Sequence, residues 1–394
     1  MDTISYLDEA LELFEFTRSV RRDLHRHPEL AFNEIRTSGI VARELNGLGM
    51  EVTSGIGKTG VVGLLEGGKP GPVVMLRFDM DALPVTEQTG AEYASENPGI
   101  MHACGHDGHV SIGLTVARIL TNHKDDLPGI VKFAFQPAEE CAGGAEAMIK
   151  DGVLHHPRPE RILGLHVWNE KPLGWIGVVP GPFMAGSEIF TVRILGKGGH
   201  AALPETTVDP VLAAAQVVTA LQSIVSRNIS SLQTAVVSVT RLKAGDAFNV
   251  IPPSAEIEGT IRCFEPAIRQ AVLQRFGEIV SGVSSAMGCR AEIDLREMTP
   301  AVINDEDTAL RLQGVARRVL PDHQLETQYR TMGSEDFSFF MQDVPGCFFF
   351  LGSANAGRGL TASHHHPRFD FDEAVLPQAA AMMAASAVQL LEEK

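Results

Sequence analysis

A change of rhythm along the chain constrains the fold most. In the first half, short apolar runs alternate with helical patterns. Val61–Glu66, Val73–Asp79, Ile130–Phe135 and Ile162–Val167 read as strands. Asp107–His123 and Gly143–Lys150 read as helices, with Asp107 the N-cap of the first. Strands so continuously apolar are buried on both faces, so a mostly parallel, helix-covered sheet is expected. Near Gly186 the pattern changes. Glu188–Leu195 alternates as a strand, Asp209–Ser226 is an Ala/Val-rich helix, and Thr234–Leu242 and Ala255–Arg262 are strands. Pro266–Met287 is a second helix and Arg290–Arg296 a closing strand. That β-α-β-β-α-β order is ferredoxin-like. After about Pro300 the first rhythm returns, with the strand Cys347–Leu351 and a helix from Leu376. At 394 residues the chain exceeds what one core usually serves, so two domains are expected. The reading is an α/β domain in two pieces, 1–185 and 298–394, interrupted by a smaller α+β domain at 186–297.

Composition removes some classes. A net charge of −16 argues against nucleic-acid partners. No apolar run is long enough to span a bilayer, so no membrane partner is expected. The first 24 residues read as an amphipathic helix without the basic start and apolar centre of a signal peptide. The five cysteines are scattered and odd in number, so a reduced, cytoplasmic setting is expected in which Cys104 is available as a thiolate.

The chemistry concentrates in a few segments. Met101–His109 holds three imidazoles, a thiol and a carboxylate around two glycines, which suits a borderline-soft divalent metal. Arg77-Phe78-Asp79-Met80-Asp81 ends a strand, where open α/β sheets bind ligands. Glu139 and Glu140 follow another strand, and His166 closes a third. His364-His365-His366 is internal, with a helix still to come. In the inserted domain, His200, Asn249 and Arg262 have side chains that suit an oxyanion or a carboxylate. Read singly, each has a plainer meaning: a turn with an N-cap, a buried thiol, a solvated acidic helix start, a structural histidine, a loop cap. Together, Cys104, His106, Glu140, His166 and His365 exceed the three protein ligands of a mononuclear catalytic zinc, and two metals sharing a ligand fit the count. No phosphate-binding glycine loop or nucleophile elbow competes.

These segments resemble the dinuclear-metal aminoacylase/carboxypeptidase family, in the branch of hippurate hydrolase and the indole-3-acetyl–amino-acid hydrolases. The resemblance runs almost end to end. It is carried by residues 23–30 (DLHRHPEL), 79–84 (DMDALP), 101–109, 136–140 (QPAEE), 198–201 (GGHA), 249–252 (NVIP), 333–337 (GSEDF) and 365–369 (HHPRF). It implies that the α/β domain is catalytic and that the inserted domain is a lid that often dimerises. It implies two divalent ions (zinc, manganese, cobalt or nickel) bridged by Cys104, with His106 and His166 at one and Glu140 and His365 at the other. It makes Glu139 the general base, and Asp81 the residue that orients a ligand or tunes that base. His200, Asn249 and Arg262 would bind the substrate's carbonyl oxygen or carboxylate, with His200 reaching across a dimer. Phe78, Cys141 and His366 depart from the family pattern, and they bear on pocket shape and substrate choice rather than on catalysis.

The expected activity is hydrolysis of N-acyl-amino acids by a metal-activated water. A carboxypeptidase acting on short peptides uses the same groups, because both substrates place an amide beside a free carboxylate. A non-catalytic metal- or ligand-binding protein is the reading from another class, and Glu139 speaks against it, since storage needs no general base. A thiol redox role for Cys104 lacks a nearby resolving cysteine.

Overall fold

Four strands form the parallel centre of an eight-stranded sheet, in the order Pro128–Gln136, Lys69–Asp79, Arg161–Pro172 and Gly346–Ala354. Gly60–Glu66 and Glu51–Ile56 extend one side antiparallel, and Trp175–Gly177 and Gln324–Glu326 finish the other. The inner stretches of the central strands are buried on both faces, where their sequences are mostly apolar. Helix His106–Asn122 lies over the sheet, packed by helices Phe14–Arg26 and Val375–Leu391. The computed structural model describes residues 5–141 and 143–392. Met1–Ile4, the start of the expected N-terminal helix, lie outside them, and that helix is two, Tyr6–Glu12 and Phe14–Arg26.

The chain forms two units. One contains the large sheet and consists of the residues up to Phe183, 303–330 and those from Asp336 on; the other is 184–302 with 331–335. The second unit is built on a four-stranded antiparallel sheet, in the order Ala235–Ala244, Ser254–Cys263, Gly186–Leu195, Arg290–Thr299. Helices Pro210–Ser223 and Pro266–Ala286 pack together against it, which is the ferredoxin-like arrangement. Its separate core runs from Phe190 and Val192 through Val217 and Leu221 to Phe276 and Val280.

Two local expectations are corrected. Asp107 does not cap its helix. Gly105 occupies the cap in the left-handed region at φ 97°, and Asp107 turns its carboxylate inward to Arg21 and His25. His166 does not end its strand, which continues to Pro172 because Gly346–Ala354 keeps pairing alongside it.

Candidate metal centre

The centre is assembled where the parallel strands and the loops after them converge. Gly105 makes the sharp step from Cys104 to His106: it is left-handed, and a Cβ there would stand 2.6 Å from Val167. His106 then opens the helix with its ring fixed. Its Nδ1 donates to the Asp81 carbonyl at 2.9 Å, which leaves Nε2 directed elsewhere, and no hydrogen-bond partner meets that nitrogen. Orientation of one ring nitrogen by an acceptor is the usual way a ligating histidine is prepared. The Asp81 carboxylate accepts the backbone N–H groups of Glu139 and Glu140, at 3.0 Å each. Both glutamates therefore leave one held turn beside His106, and the Oε1 of Glu140 is buried without a hydrogen-bond partner.

Two ligand sets result. The donor atoms of Cys104, His106 and His166 lie within 4.8 Å of one another, and so do those of Cys104, Glu140 and His365. Cys104 belongs to both. The Sγ of Cys104 is 3.4 Å from Nε2 of His166, and Nε2 of His365 is 3.3 Å from Oε2 of Glu140. His365 is placed by its own amide, which donates to the Ala103 carbonyl at 2.8 Å, and by a left-handed backbone at φ 66°. Glu139 joins His106 and Glu140 in a third close set.

The donor set fits divalent ions. Thiolate, imidazole and carboxylate together suit zinc and its neighbours in the first transition row. The local electrostatics ask for a cation. Burial, and then Glu140, Glu139 and Asp79, hold the Cys104 thiol well above its ordinary range. Burial opposes charge on His106, yet Asp79, Asp81 and Glu140 outweigh it and push the imidazole up to about 10. A positive ion among these groups reverses the first cost and takes over the role of the second proton.

The remaining motif residues separate by contact. His109 donates from Nδ1 to Asp79 at 2.6 Å and accepts the Val167 N–H at Nε2, so both nitrogens are engaged. Asp79 also binds Arg77, which reaches Gln136 and Asp336, in a fully buried network under the site. His102 is buried with neither ring nitrogen hydrogen-bonded. Phe78 packs on Phe135 in the core with ring centroids 5.4 Å apart, so this departure does not shape the pocket. Cys141 is exposed directly after Glu140. Of the three consecutive histidines, sequence reasoning chose His365 and gave His364 no role, yet the Nε2 of His364 accepts the Asn169 N–H while Nδ1 stands 3.9 Å from the Cys104 sulfur. Its only signal was membership in the run of three histidines.

In the other unit, His200 and Asn249 are neighbours. Val250 pairs with His200, and the Ala201 N–H donates to the Asn249 carbonyl. Arg262 is not brought to them. It lies near the far end of strand Ser254–Cys263, opposite Ser187, and donates to Ser334 at 2.8 Å. The span from Ser254 to Arg262 is about 26 Å at the usual rise of a strand.

The chain is similar to known proteins over most of its length. Residues 75–389 match the model of peptidase family M20/M25/M40. An N-acetylcysteine deacetylase of Bacillus subtilis is 41% identical over 95% of this chain and 96% of its own length. The IAA-amino acid hydrolase ILR1-like 4 of Arabidopsis thaliana is 40% identical, over 97% of this chain and 87% of its own. The crystal structure of the Bacillus subtilis YXEP protein, described as a dinuclear metal binding peptidase from the M20 family, superposes with a TM-score of 0.85. It is 36% identical and covers 97% of this chain and 99% of that one.

Proposed function

The chain belongs to peptidase family M20/M25/M40, and from that premise we propose that it hydrolyses the amide bond of N-acyl-amino acids at a two-metal centre. One observation carries the reading: two three-residue ligand sets share Cys104, with Glu139 held beside them. In this proposal Cys104, His106 and His166 hold one ion, and Cys104, Glu140 and His365 the other. When bound, such ions supply Lewis acidity toward the amide carbonyl and lower the pKa of water. Glu139 takes a proton from the attacking water on its carboxylate and returns it to the departing amine. Asp81 positions this exchange, because one carboxylate fixes the amides of both glutamates and its carbonyl fixes the ring of His106. His200 and Asn249 stabilise the carbonyl oxygen as it gains charge, and Arg262 pairs with the substrate carboxylate.

The separation of Arg262 from His200 and Asn249 within one unit favours a homodimer, in which one protomer's His200 completes its partner's site. Mixing inactive His200→Ala and Arg262→Ala subunits should then restore part of the activity, and a mixture as dead as its components excludes sharing. With all five cysteines free, a reducing, cytoplasmic compartment suits the thiolate. Among the described residues no helix is long and apolar enough to cross a membrane. The sulfur favours zinc, while the nitrogen and oxygen donors also suit manganese, cobalt or nickel.

The deciding experiment assays chelator-treated protein, reloaded with each of these metals, against N-acyl amino acids and dipeptides. Hydrolysis of the former with little of the latter is expected. The reverse preference establishes the carboxypeptidase, and no turnover with any metal leaves a binding protein. Glu139→Gln should keep both ions and lose turnover, whereas Glu140→Ala should lose one ion. Metal analysis giving the opposite pattern exchanges the two roles.

A further inference from the structure

We propose that Glu34 is a positioning residue for the turn that carries Glu139 and Glu140. Glu34 is fully buried and stands at the N-cap of helix Ile35–Gly47, a position whose side chain ordinarily serves the helix's own amides. It does not. Glu29 takes that task, its two oxygens accepting the N–H groups of Arg36 and Thr37 at 2.9 Å each. The Glu34 carboxylate is thereby released to reach across the fold. Its Oε1 accepts the Ala138 N–H at 2.9 Å and the Phe32 N–H at 3.0 Å, while Oε2 accepts the Thr59 hydroxyl.

Ala138 immediately precedes the two glutamates. Three successive amides, at 138, 139 and 140, are thus held by two buried carboxylates, Glu34 taking the first and Asp81 the other two. The clamp has a reason in the backbone. Ala138 is left-handed at φ 54° and Phe32 at φ 60°, conformations that non-glycine residues adopt only when their surroundings impose them. One oxygen of Glu34 fixes both. The Ala138 carbonyl in turn accepts the Gly144 N–H at 3.2 Å, so both backbone polar groups of Ala138 are tied. Releasing the Ala138 amide frees that backbone to relax toward ordinary φ, which swings the following residues. Asp81 alone then has to hold both the general base and a metal ligand.

The inference rests on the proposed roles of Glu139 and Glu140, and its test separates the two claims. Three variants of the full-length protein are compared, Glu34→Ala, Glu34→Asp and Glu34→Gln. Glutamine keeps an oxygen for both amides and an N–H for Thr59. Aspartate keeps the charge but draws the oxygen back by one methylene. Turnover of N-acetyl-L-methionine by the zinc-loaded enzymes and zinc affinity of the apoproteins, by chelator competition, are measured. Unfolding followed by tryptophan fluorescence confirms that each variant is folded. Alanine and aspartate should lower kcat about 100-fold with KM within about threefold, the scale of a small misplacement of a reacting group. They should also weaken one of two zinc sites about 10- to 100-fold. Glutamine should remain within about threefold of wild type in both measurements. Should alanine fail to fold, the aspartate–glutamine pair decides alone. Full activity in the aspartate variant, or a glutamine variant as impaired as aspartate, overturns the inference. If the wild type hydrolyses nothing, the functional reading fails, and the zinc titration alone judges the clamp.

Discussion

At the scale of single residues, the ion-pair network behind the centre makes stability depend on pH. Nδ1 of His25 lies 2.7 Å from Asp107, Arg21 binds the same carboxylate oxygen at 2.9 Å, and Arg21 continues to Asp370 and Glu373. Burial opposes the charge on His25, but Asp107 and Glu87 outweigh it and push its pKa up to about 9. The folded value is above the unfolded one of about 6.5. The protonated imidazole is therefore bound more tightly in the native state, and its contribution is complete below about pH 6.5 and lost as pH rises through 9. At about 1.4 kcal/mol per pH unit the complete loss is roughly 3 to 4 kcal/mol, about 3 of it between pH 6.5 and 9.5. Urea unfolding of wild type and His25→Gln at pH 6.5 and pH 9.5 checks this. The wild type should lose up to about 3 kcal/mol more than the variant across that interval, and parallel losses in both sink the assignment. This network also shows where sequence reading stops. Cys104, His106, Glu140, His166 and His365 stood out because ligand-type side chains at strand and helix ends are few. Glu34 did not, because its partner Ala138 is 104 residues away, and His364 was passed over for its neighbour His365, which the family pattern favours. A glutamate in a polar stretch looks like any other until the fold chooses its partner.

At the scale of elements, the burial of helix His106–Asn122 explains why its sequence was readable as a helix and unreadable as a face. All but three of its residues are buried. Sheet residues Phe78 and Phe135 lie below, and helices Phe14–Arg26 and Val375–Leu391 flank it, so no polar stripe marks an outside. Close approach to the sheet depends on Gly113. A Cβ there would stand 2.7 Å from the Phe78 ring and 2.9 Å from that of Phe135, and both rings are themselves enclosed. Gly113→Val should therefore destabilise the unit by about 3 kcal/mol, as overpacking of a close-packed interior does. Gly113→Ala should cost less, since alanine gains about 1 kcal/mol of helix propensity that offsets part of the clash. Unfolding midpoints in urea read both, and a valine variant as stable as wild type would show that the helix has room to shift. The mispredicted ends have the same origin. The capping position fell to Gly105 because Asp107 was needed by Arg21, and the strand through His166 ran on because its parallel neighbour did.

At the scale of the whole molecule, the two units have separate cores with no residue in common. The alternation of elements led to the expectation of two domains, whereas nothing in the sequence signalled that 331–335 join the second unit, where Ala185 donates to the Thr331 and Gly333 carbonyls from far away in sequence. The spectroscopic residues are distributed just as unequally. Both tryptophans, Trp168 and Trp175, and all three tyrosines, Tyr6, Tyr93 and Tyr329, belong to the unit with the metal centre. Emission excited at the red edge of the tryptophan band therefore reports that unit alone, while far-UV circular dichroism reports both. In the proposed function, metal binds only the folded form of the unit that holds Cys104. At a free zinc concentration 100 times the dissociation constant, binding adds about 2.7 kcal/mol to that unit. For a unit of this size, that corresponds to a rise of about 5 °C in its midpoint. Chelation should lower the fluorescence transition by this amount and leave a second dichroism transition, from the ferredoxin-like unit, where it was. A Cys104→Ser variant should melt near the chelated position and respond weakly to added zinc. A single dichroism transition that moves together with the fluorescence would mean that the two cores unfold as one, and that metal bound at Cys104 stabilises residues outside its own unit.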